Sequence, residues 1–300
     1  MEDLEKRTYT LANDLVFELN KSLGFRKDGL MQLFLKPLVW KPMVRFSELA
    51  TVFEHRVVQE GWQKASAWFI THFVDRVKSL GGEYLPPTGP LIVASNHPGA
   101  YDSLVITSRI PRDDVKIIAS DIPFVKKLPD TSKHMIFLTD DTHDRMEAAR
   151  EAIRHLKRGG ALLVFARATM DPDPAFMLNS EEELTHWTSS LGLFLRNVPR
   201  TKVAVSIISG VLSPRYLNHP ATWFRQGRVN KQRLSEFFQV MYQLLAPGKL
   251  MVSPNLSFGP AHSLEDLGLK DSRDIHKITG EVIKIAQDQF KFHQKRLMAA

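Results

Sequence analysis

The chain has 300 residues, 40 Lys+Arg against 33 Asp+Glu, a net charge of +7 and a hydrophobic content of 43%. That balance fits one or two globular domains and excludes a disordered, collagen-like or low-complexity chain. There is no cysteine, which excludes a disulfide scaffold, thiol nucleophiles and Cys-held zinc or iron–sulfur centres, and fits a reducing compartment.

The excess charge is not spread evenly. Residues 1–60 hold nine basic and nine acidic side chains, so the remaining 240 residues carry all of the +7. A basic body suits an anionic partner such as a phosphorylated metabolite, CoA, a carrier protein, anionic lipid or nucleic acid; solvated surface accounts for it equally well. No run approaches the roughly 18–20 apolar residues of a spanning helix. The N-terminus, MEDLEKRTYT, lacks the apolar core and cleavage site of a signal peptide, and a cytoplasmic location is expected.

In chain order, residues 12–80 read as helical. Val44, Phe46, Leu49, Phe53 and Val57 recur at helical steps, as do Trp62, Ala65, Phe69, Phe73, Val77 and Leu80. Gly81-Gly82 is read as the stop of the last helix, and Pro86-Pro87 with Gly89-Pro90 as a loop. This boundary divides the chain into an N-terminal helical segment, residues 1–84, and an α/β domain, residues 85–300.

Beyond it, short apolar runs alternate with helices. Leu91–Ser95, Lys116–Ser120, Met135–Thr139, Ala161–Ala166 and Val203–Ser209 read as buried strands, and Leu250–Phe258 holds a late one. Arg145–Arg158 reads as an amphipathic helix with Met146, Ala149, Ile153 and Leu156 on its apolar face, stopped by Gly159-Gly160. Residues 181–196 and 273–296 complete the helices. The pattern predicts an α/β fold, with a mixed or mostly parallel sheet flanked by helices and preceded by the helical segment. Sites in such sheets lie at the carboxyl ends of strands, which directs attention to the loops after Ser95, Ser120, Thr139, Ala166 and Ser209.

No phosphate-binding G-x-x-x-x-G-K-[ST], dinucleotide G-x-G-x-x-G, G-x-S-x-G elbow or H-E-x-x-H occurs. Asp140, Asp141, His143 and Asp144 have the composition of a metal site, but a strand-to-helix loop capped by Asp144 or Thr142 is the preferred reading, so no metal is expected. After the first strand comes Ser95-Asn96-His97-Pro98-Gly99-Ala100-Tyr101-Asp102-Ser103. On one helix, residues five apart point about 140° away from each other. His97 and Asp102 meet only if the chain turns between them, and Pro98-Gly99 supplies a turn. An Asp on one ring nitrogen fixes the tautomer and leaves the other nitrogen as a base. The spacing alone carries no weight in a chain with 11 histidines, and a loop histidine beside a helix-capping Asp is the competing reading. The context of strand, Asn96, Pro-Gly turn and helix gives the pair its interest.

That segment resembles motif I, N-H-x-x-x-x-D, of the glycerolipid acyltransferases, the phospholipid/glycerol acyltransferase family. Later segments of the chain fall in a similar order to the family's other motifs. Ile118-Ala119-Ser120 with Pro123 and Phe124 resembles the segment after motif I, and Met135–Thr139 stands where the strand of motif II belongs. Leu163–Met170 stands where motif III, commonly F-P-E-G-T-R, belongs, and Val203-Ala204-Val205 with Ser209-Gly210 resembles motif IV. The resemblance spans roughly residues 85–215. It implies a glycerolipid acyltransferase that moves a fatty acyl group from acyl-CoA or acyl carrier protein to a hydroxyl of a glycerolipid or lyso-phospholipid. His97 would be the general base, oriented by Asp102, with no acyl-enzyme. Asn96, Pro98, Gly99, Arg145, Phe165, Arg167, Thr169, Ser209 and Gly210 are the implied substrate-binding positions.

Motif III departs from the family. Phe165 and Thr169 match, but Ala166, Arg167, Ala168 and Met170 replace the usual Pro, Glu, Gly and Arg. Motif II usually ends in an Arg; here Asp140-Asp141 follow the strand and the first arginine is Arg145. Arg167 is either a substitute phosphate ligand or a surface residue after a strand. The alternative to the enzyme is a non-catalytic lipid- or acyl-chain-binding member of the same fold. No resident cofactor is expected beyond the acyl-CoA or carrier-protein co-substrate. A nucleic-acid partner is not expected, because basic clusters interleaved with aromatics are missing. A lipid acceptor implies a peripheral position on the inner face of the membrane. Leu30–Val44 and the C-terminal helix, with Ile275, Ile278, Val282 and Ile285, are the candidate contacts, and core packing is the competing reading of both.

Overall fold

The structure is a computed structural model that describes residues 8–17, 30–99, 101–139 and 141–298; of residues 30–36 and 38 it describes the backbone alone. Residues 18–29 of the predicted helical segment and Asp140 lie outside the described residues, as do the side chains at the start of the Leu30–Val44 stretch.

Helix α1 (residues 8–17) is followed by α2 (Leu30–Glu60) and α3 (Trp62–Ile70). The helical reading ends there. Phe73 sits in a turn, Val74 makes a single parallel bridge to Val252, and Lys78–Leu80 forms a strand, β1, rather than a last helical turn. Gly81, at φ 81°, therefore ends a strand and not a helix. The apolar spacing of Phe73, Val77 and Leu80 continues the helical stripe numerically, but β1 instead pairs with a strand far along the chain.

The remaining elements come in order: β2 (Leu91–Ser95), α4 (Asp102–Thr107), β3 (Val115–Ser120), α5 (Pro123–Lys126), α6 (Pro129–Ser132), β4 (Met135–Leu138), α7 (Thr142–Lys157) and β5 (Ala161–Phe165). Then come α8 (Ser190–Asn197), β6 (Lys202–Ser209), α9 (Pro214–Leu217), α10 (Arg228–Leu245), β7 (Asn255–Phe258) and α11 (Ile275–His293). Residues 181–196 are not one helix. A 3₁₀ segment, Glu182–His186, ends at extended Trp187, and α8 begins three residues later.

The seven strands form one sheet in the order β1-β7-β6-β2-β5-β3-β4. β6, β2, β5, β3 and β4 are parallel neighbours, and only the β6–β7 pairing is antiparallel. All five residues of β2 are buried, as a central parallel strand covered on both faces requires. Alternation assigns its side chains. Leu91 and Val93 join a core with Phe53, Trp62, Phe69, Val105 and Ile106 from α2, α3 and α4. Ile92 and Ala94 join one with α7, α8 and α11, through residues such as Leu156, Phe194 and Val282. The result is a sheet between two helical layers.

One helix, α7, differs from expectation in the face it buries. In α7 the buried residues are Ala148, Ala152 and Leu156, whereas Met146 is 47% exposed. Two alanines on the inner face let the helix approach the sheet closely. The helix is capped by Asp141, whose carboxylate accepts from the amides of His143 and Asp144, rather than by Asp144 or Thr142. The exposed trio Asp141, His143 and Asp144 is thus a capping arrangement. In α11 the stripe Ile278, Val282, Ala286 and Phe290 is core, so this face is no membrane contact. Its approach to α8 depends on Gly192, where a Cβ would stand 2.1 Å from the carbonyl oxygen of Ile275.

Below the sheet's amino end, buried Arg112 ties three loops together. Its guanidinium pairs with Asp114 at 2.6 Å and donates to the carbonyls of Gly89 (2.6 Å) and Gly159 (2.7 Å). These loops feed β2, β3 and β5, so the clamp fixes the strands from the end opposite the histidine loop.

Candidate functional site

β2 ends at Ser95, and the next side chain stands in for a strand peptide. Asn96 donates from Nδ2 to the carbonyl of Ile208 and accepts the amide of Ile208 on Oδ1, both at 2.9 Å. It thereby extends the β2–β6 pairing by one step while its own backbone turns away. His97 follows at the carboxyl edge of the sheet, and Pro98-Gly99 reverses the chain. Asp102 is the first residue of α4, not its cap, which is Tyr101. The fully buried Asp102 carboxylate accepts from His97 Nδ1 at 2.8 Å and from the Gly99 amide at 3.1 Å, both on Oδ2. A Cβ at Gly99 would stand 3.0 Å from the Val211 side chain, a tighter contact than side chains usually keep.

With Nδ1 held by Asp102, Nε2 is the ring's other nitrogen, on a side chain that is 29% exposed. Phe165, at the end of β5, lies against the imidazole with ring centroids 4.3 Å apart. Burial depresses the His97 pKa, but the Asp102 charge and hydrogen bond outweigh it, with smaller help from Glu236 and Asp171, and the result is raised to about 9.

The loop after β5 supplies residues that the sequence motifs do not single out. Asp171 Oδ2 accepts the His97 amide at 2.8 Å, and the Asp171 amide donates to the His97 carbonyl at 2.8 Å. Burial raises the Asp171 pKa to about 6. Two residues on, fully buried Asp173 accepts the amides of Gly210 (2.7 Å), Ala175 (3.0 Å) and Leu212 (3.1 Å), fastening the β5 loop to the β6 loop. From α10, the buried Gln232 side chain donates to the carbonyls of Pro98 (2.8 Å) and Asp171 (2.7 Å). The acids between prolines in Asp171-Pro172-Asp173-Pro174 are a local sign of a structured turn. Gln232 left no comparable sign.

The remaining implied positions separate into groups. Arg167 is ion-paired with Glu183 at 2.6 Å, lies 3.8 Å from Asp171 and donates to the carbonyl of Met170. Arg228 donates to the same carbonyl at 2.9 Å and lies 3.7 Å from Glu183. Ala168 adopts φ 61°, the left-handed conformation that suits the glycine usual at that position. Thr169 is half-buried in the same turn. Gly210, at φ 73°, is held by Asp173. Ser209 is fully buried, with Oγ 2.8 Å from His293 Nε2, so it packs the fold rather than facing a ligand. Arg145 opens α7 and donates to the carbonyl of Thr139 at 3.1 Å. Its parent strand β4 lies three strand spacings from β2, or about 14 Å, which sets it apart from the His97 cluster.

These features converge on a basic nitrogen held by a buried carboxylate at a strand end, an arrangement suited to taking a proton from an acceptor. A family model described as Acyltransferase matches residues 76–206. The segment runs from just before β1 through most of β6, and contains His97, Asp102 and Asp171. No curated protein matches the chain significantly. Among solved structures, the chain is similar to the 1-acyl-sn-glycerophosphate acyltransferase PlsC from Thermotoga maritima, with 18% identity over 96% of this chain and 95% of that one, at a TM-score of 0.45. Through residues 76–206, less than half of its length, the chain is similar to the acyltransferase family.

Proposed function

We propose that the enzyme moves a fatty acyl group from the thioester of acyl-CoA or acyl carrier protein to a hydroxyl of a glycerolipid or lyso-phospholipid. The observation that carries the reading is the 2.8 Å hydrogen bond from His97 Nδ1 to buried Asp102 at the carboxyl end of β2. His97 Nε2 takes the acceptor's hydroxyl proton as the oxygen attacks the thioester carbonyl. The tetrahedral intermediate collapses with loss of the C–S bond, and the proton passes from Nε2 to the departing sulfur. Asp102 holds the ring and stabilises its cationic form during the transfer. No acyl-enzyme is formed. The chain has no cysteine, and the attacking group is the acceptor itself.

Arg167 meets Glu183 at 2.6 Å, so an anionic acceptor headgroup must compete with a carboxylate for that guanidinium. Amine-bearing lyso-lipids therefore belong beside lyso-phospholipids and glycerol-3-phosphate among the acceptors tested. The assay is thiol release from long-chain acyl-CoA and acyl carrier protein, with wild type and His97→Ala. Acceptor-dependent release that falls by about 10²–10⁴-fold in the variant is expected. Release unchanged by the substitution, or absent with every acceptor, overturns the reading.

A further inference from the structure

Among the described residues the most exposed large apolar side chains are Phe224 (90%), Leu178 (89%) and Trp223 (73%). A lone exposed leucine is ordinary. Leu178 lines a recess beside Phe290 of α11, whereas Trp223 and Phe224 form an adjacent pair. Leu178 lies in the loop that follows β5, and Trp223 and Phe224 lie in the loop that follows β6. Both strands run parallel to β2, so their loops leave the sheet at the same edge as His97.

The aromatic pair is presented by a fixed turn. It ends the 3₁₀ segment Pro220–Phe224, in which Thr222 is buried and donates from Oγ1 to the carbonyl of His219 at 2.7 Å. Thr222 faces inward while the next two side chains face solvent. Gly227, at φ 75°, then turns the chain into α10, whose Gln232 holds the His97 loop. The sequence that carries the tip is basic as far as Glu236 in α10. Residues 210–235 contain Arg215, Arg225, Arg228, Lys231 and Arg233 and no Asp or Glu, a local excess of +5 within a chain total of +7. Arg225, Lys231 and Arg233 are exposed.

We propose that Trp223 and Phe224, with the exposed Arg225, Lys231 and Arg233 that follow them in the chain, dock the enzyme on an anionic lipid bilayer and set the His97 edge of the sheet against it. The proposal rests on the glycerolipid reading above. Aromatic side chains favour the headgroup region, and basic side chains near an anionic surface add electrostatic attraction. A bilayer fits better than an acidic protein partner, because the apolar side chains project from a one-turn tip instead of lining a recess. Neither Trp223 nor Phe224 touches the His97 cluster, so docking and chemistry are separable.

The test uses the full chain with vesicles of phosphatidylcholine alone or with one-quarter phosphatidylglycerol. Co-flotation measures binding, and brominated acyl chains report tryptophan insertion. Trp62 and Trp187 are buried, and a Trp223→Phe variant assigns the quenching. Wild type is expected to bind the anionic vesicles at least about tenfold more tightly than the neutral ones. Trp223→Ser/Phe224→Ser and Arg225→Gln/Lys231→Gln/Arg233→Gln are each expected to lose most of that binding, while turnover of a detergent-dispersed acceptor stays at the wild-type rate. Variants that bind like wild type overturn the proposal, as does capture by an acidic carrier protein without vesicle binding. A parallel loss of turnover in detergent also overturns it, since the loop would then be shaping the site. Vesicle binding without transfer to any dispersed acceptor leaves the surface standing and defeats the glycerolipid reading instead.

Discussion

His97 and Asp171 exchange two hydrogen bonds at 2.8 Å each, the His97 amide to the Asp171 carboxylate and the Asp171 amide to the His97 carbonyl. The exchange pins the backbone of His97 while Asp102 pins its ring, so the imidazole is fixed from both ends. The Asp171 carboxylate also adds negative charge beside the ring. Two variants separate these roles. Asp171→Asn keeps an oxygen that can accept the His97 amide but removes the charge, so the His97 pKa should fall and the pH–rate profile move to lower pH. Asp171→Ala removes the acceptor as well, and kcat should fall by about tenfold or more through lost positioning. Identical pH profiles for wild type and Asp171→Asn would show that the charge is not felt at His97.

The resting enzyme should be short of free base at neutral pH. The His97 pKa is raised to about 9, and a general base acts only when unprotonated, so roughly one molecule in a hundred is ready at pH 7. kcat/KM should climb close to tenfold per pH unit from 6.5 and level near 9. The same shift has a stability sign. The folded pKa lies above the unfolded value of 6.5, so the charged pair's contribution is complete below pH 6.5 and is lost as pH rises through 9. A profile already flat between pH 6.5 and 8 would show that the histidine is neutral at rest.

Gln232 acts at a distance from the chemistry. It donates to the carbonyls of Pro98 and Asp171 and accepts from Arg228 at 2.8 Å, joining α10 to both loops that hold His97. Gln232→Met keeps the volume and removes these bonds. We expect kcat to fall by more than about tenfold with a smaller change in KM, since the acceptor contact survives while the base is less well placed. Gln232→Glu can still accept from Arg228 but cannot donate to the carbonyls, and should resemble Gln232→Met. Restored activity in that variant would put the role of Gln232 in Arg228 rather than in the histidine loop.

What the sequence made legible was local. Leu91–Ser95 reads as a buried strand because five apolar or small residues in a row suit a central parallel strand, and β2 has those bounds. His97 and Asp102 are five residues apart, and the Pro-Gly turn between them is visible in the letters. What stayed hidden was joined across the chain. The carboxylate on the His97 amide comes from 74 residues away, and the Gln232 bond to Pro98 spans 134. β1 was hidden for the same reason, because Lys78–Leu80 becomes a strand only through its partner Asn255–Ser257. The apolar face of α7 was misread because Met146 outweighs Ala148 on any hydrophobic scale, whereas close helix–sheet packing selects the smaller side chain.

His293 offers a stability test that does not involve catalysis. It is fully buried between the hydroxyls of Ser209 (2.8 Å) and Ser257 (2.9 Å), and burial lowers its pKa to about 4. Its folded value lies below the unfolded 6.5, so the unfolded chain binds the extra proton and stability falls as pH drops from 6.5 towards 4. Asp171, raised from 3.8 to about 6, works in the opposite sense over much of that window, because the folded chain there holds a proton that the unfolded chain releases. Wild type alone therefore conceals the histidine's part, and a difference between variants reveals it. His293→Gln cannot titrate, so it lacks this acid-linked loss. Its deficit relative to wild type at pH 7, measured by urea unfolding, should shrink by about 2 kcal/mol at pH 4.5. A deficit that stays constant across that range would mean that His293 does not stay neutral at the expense of folding free energy.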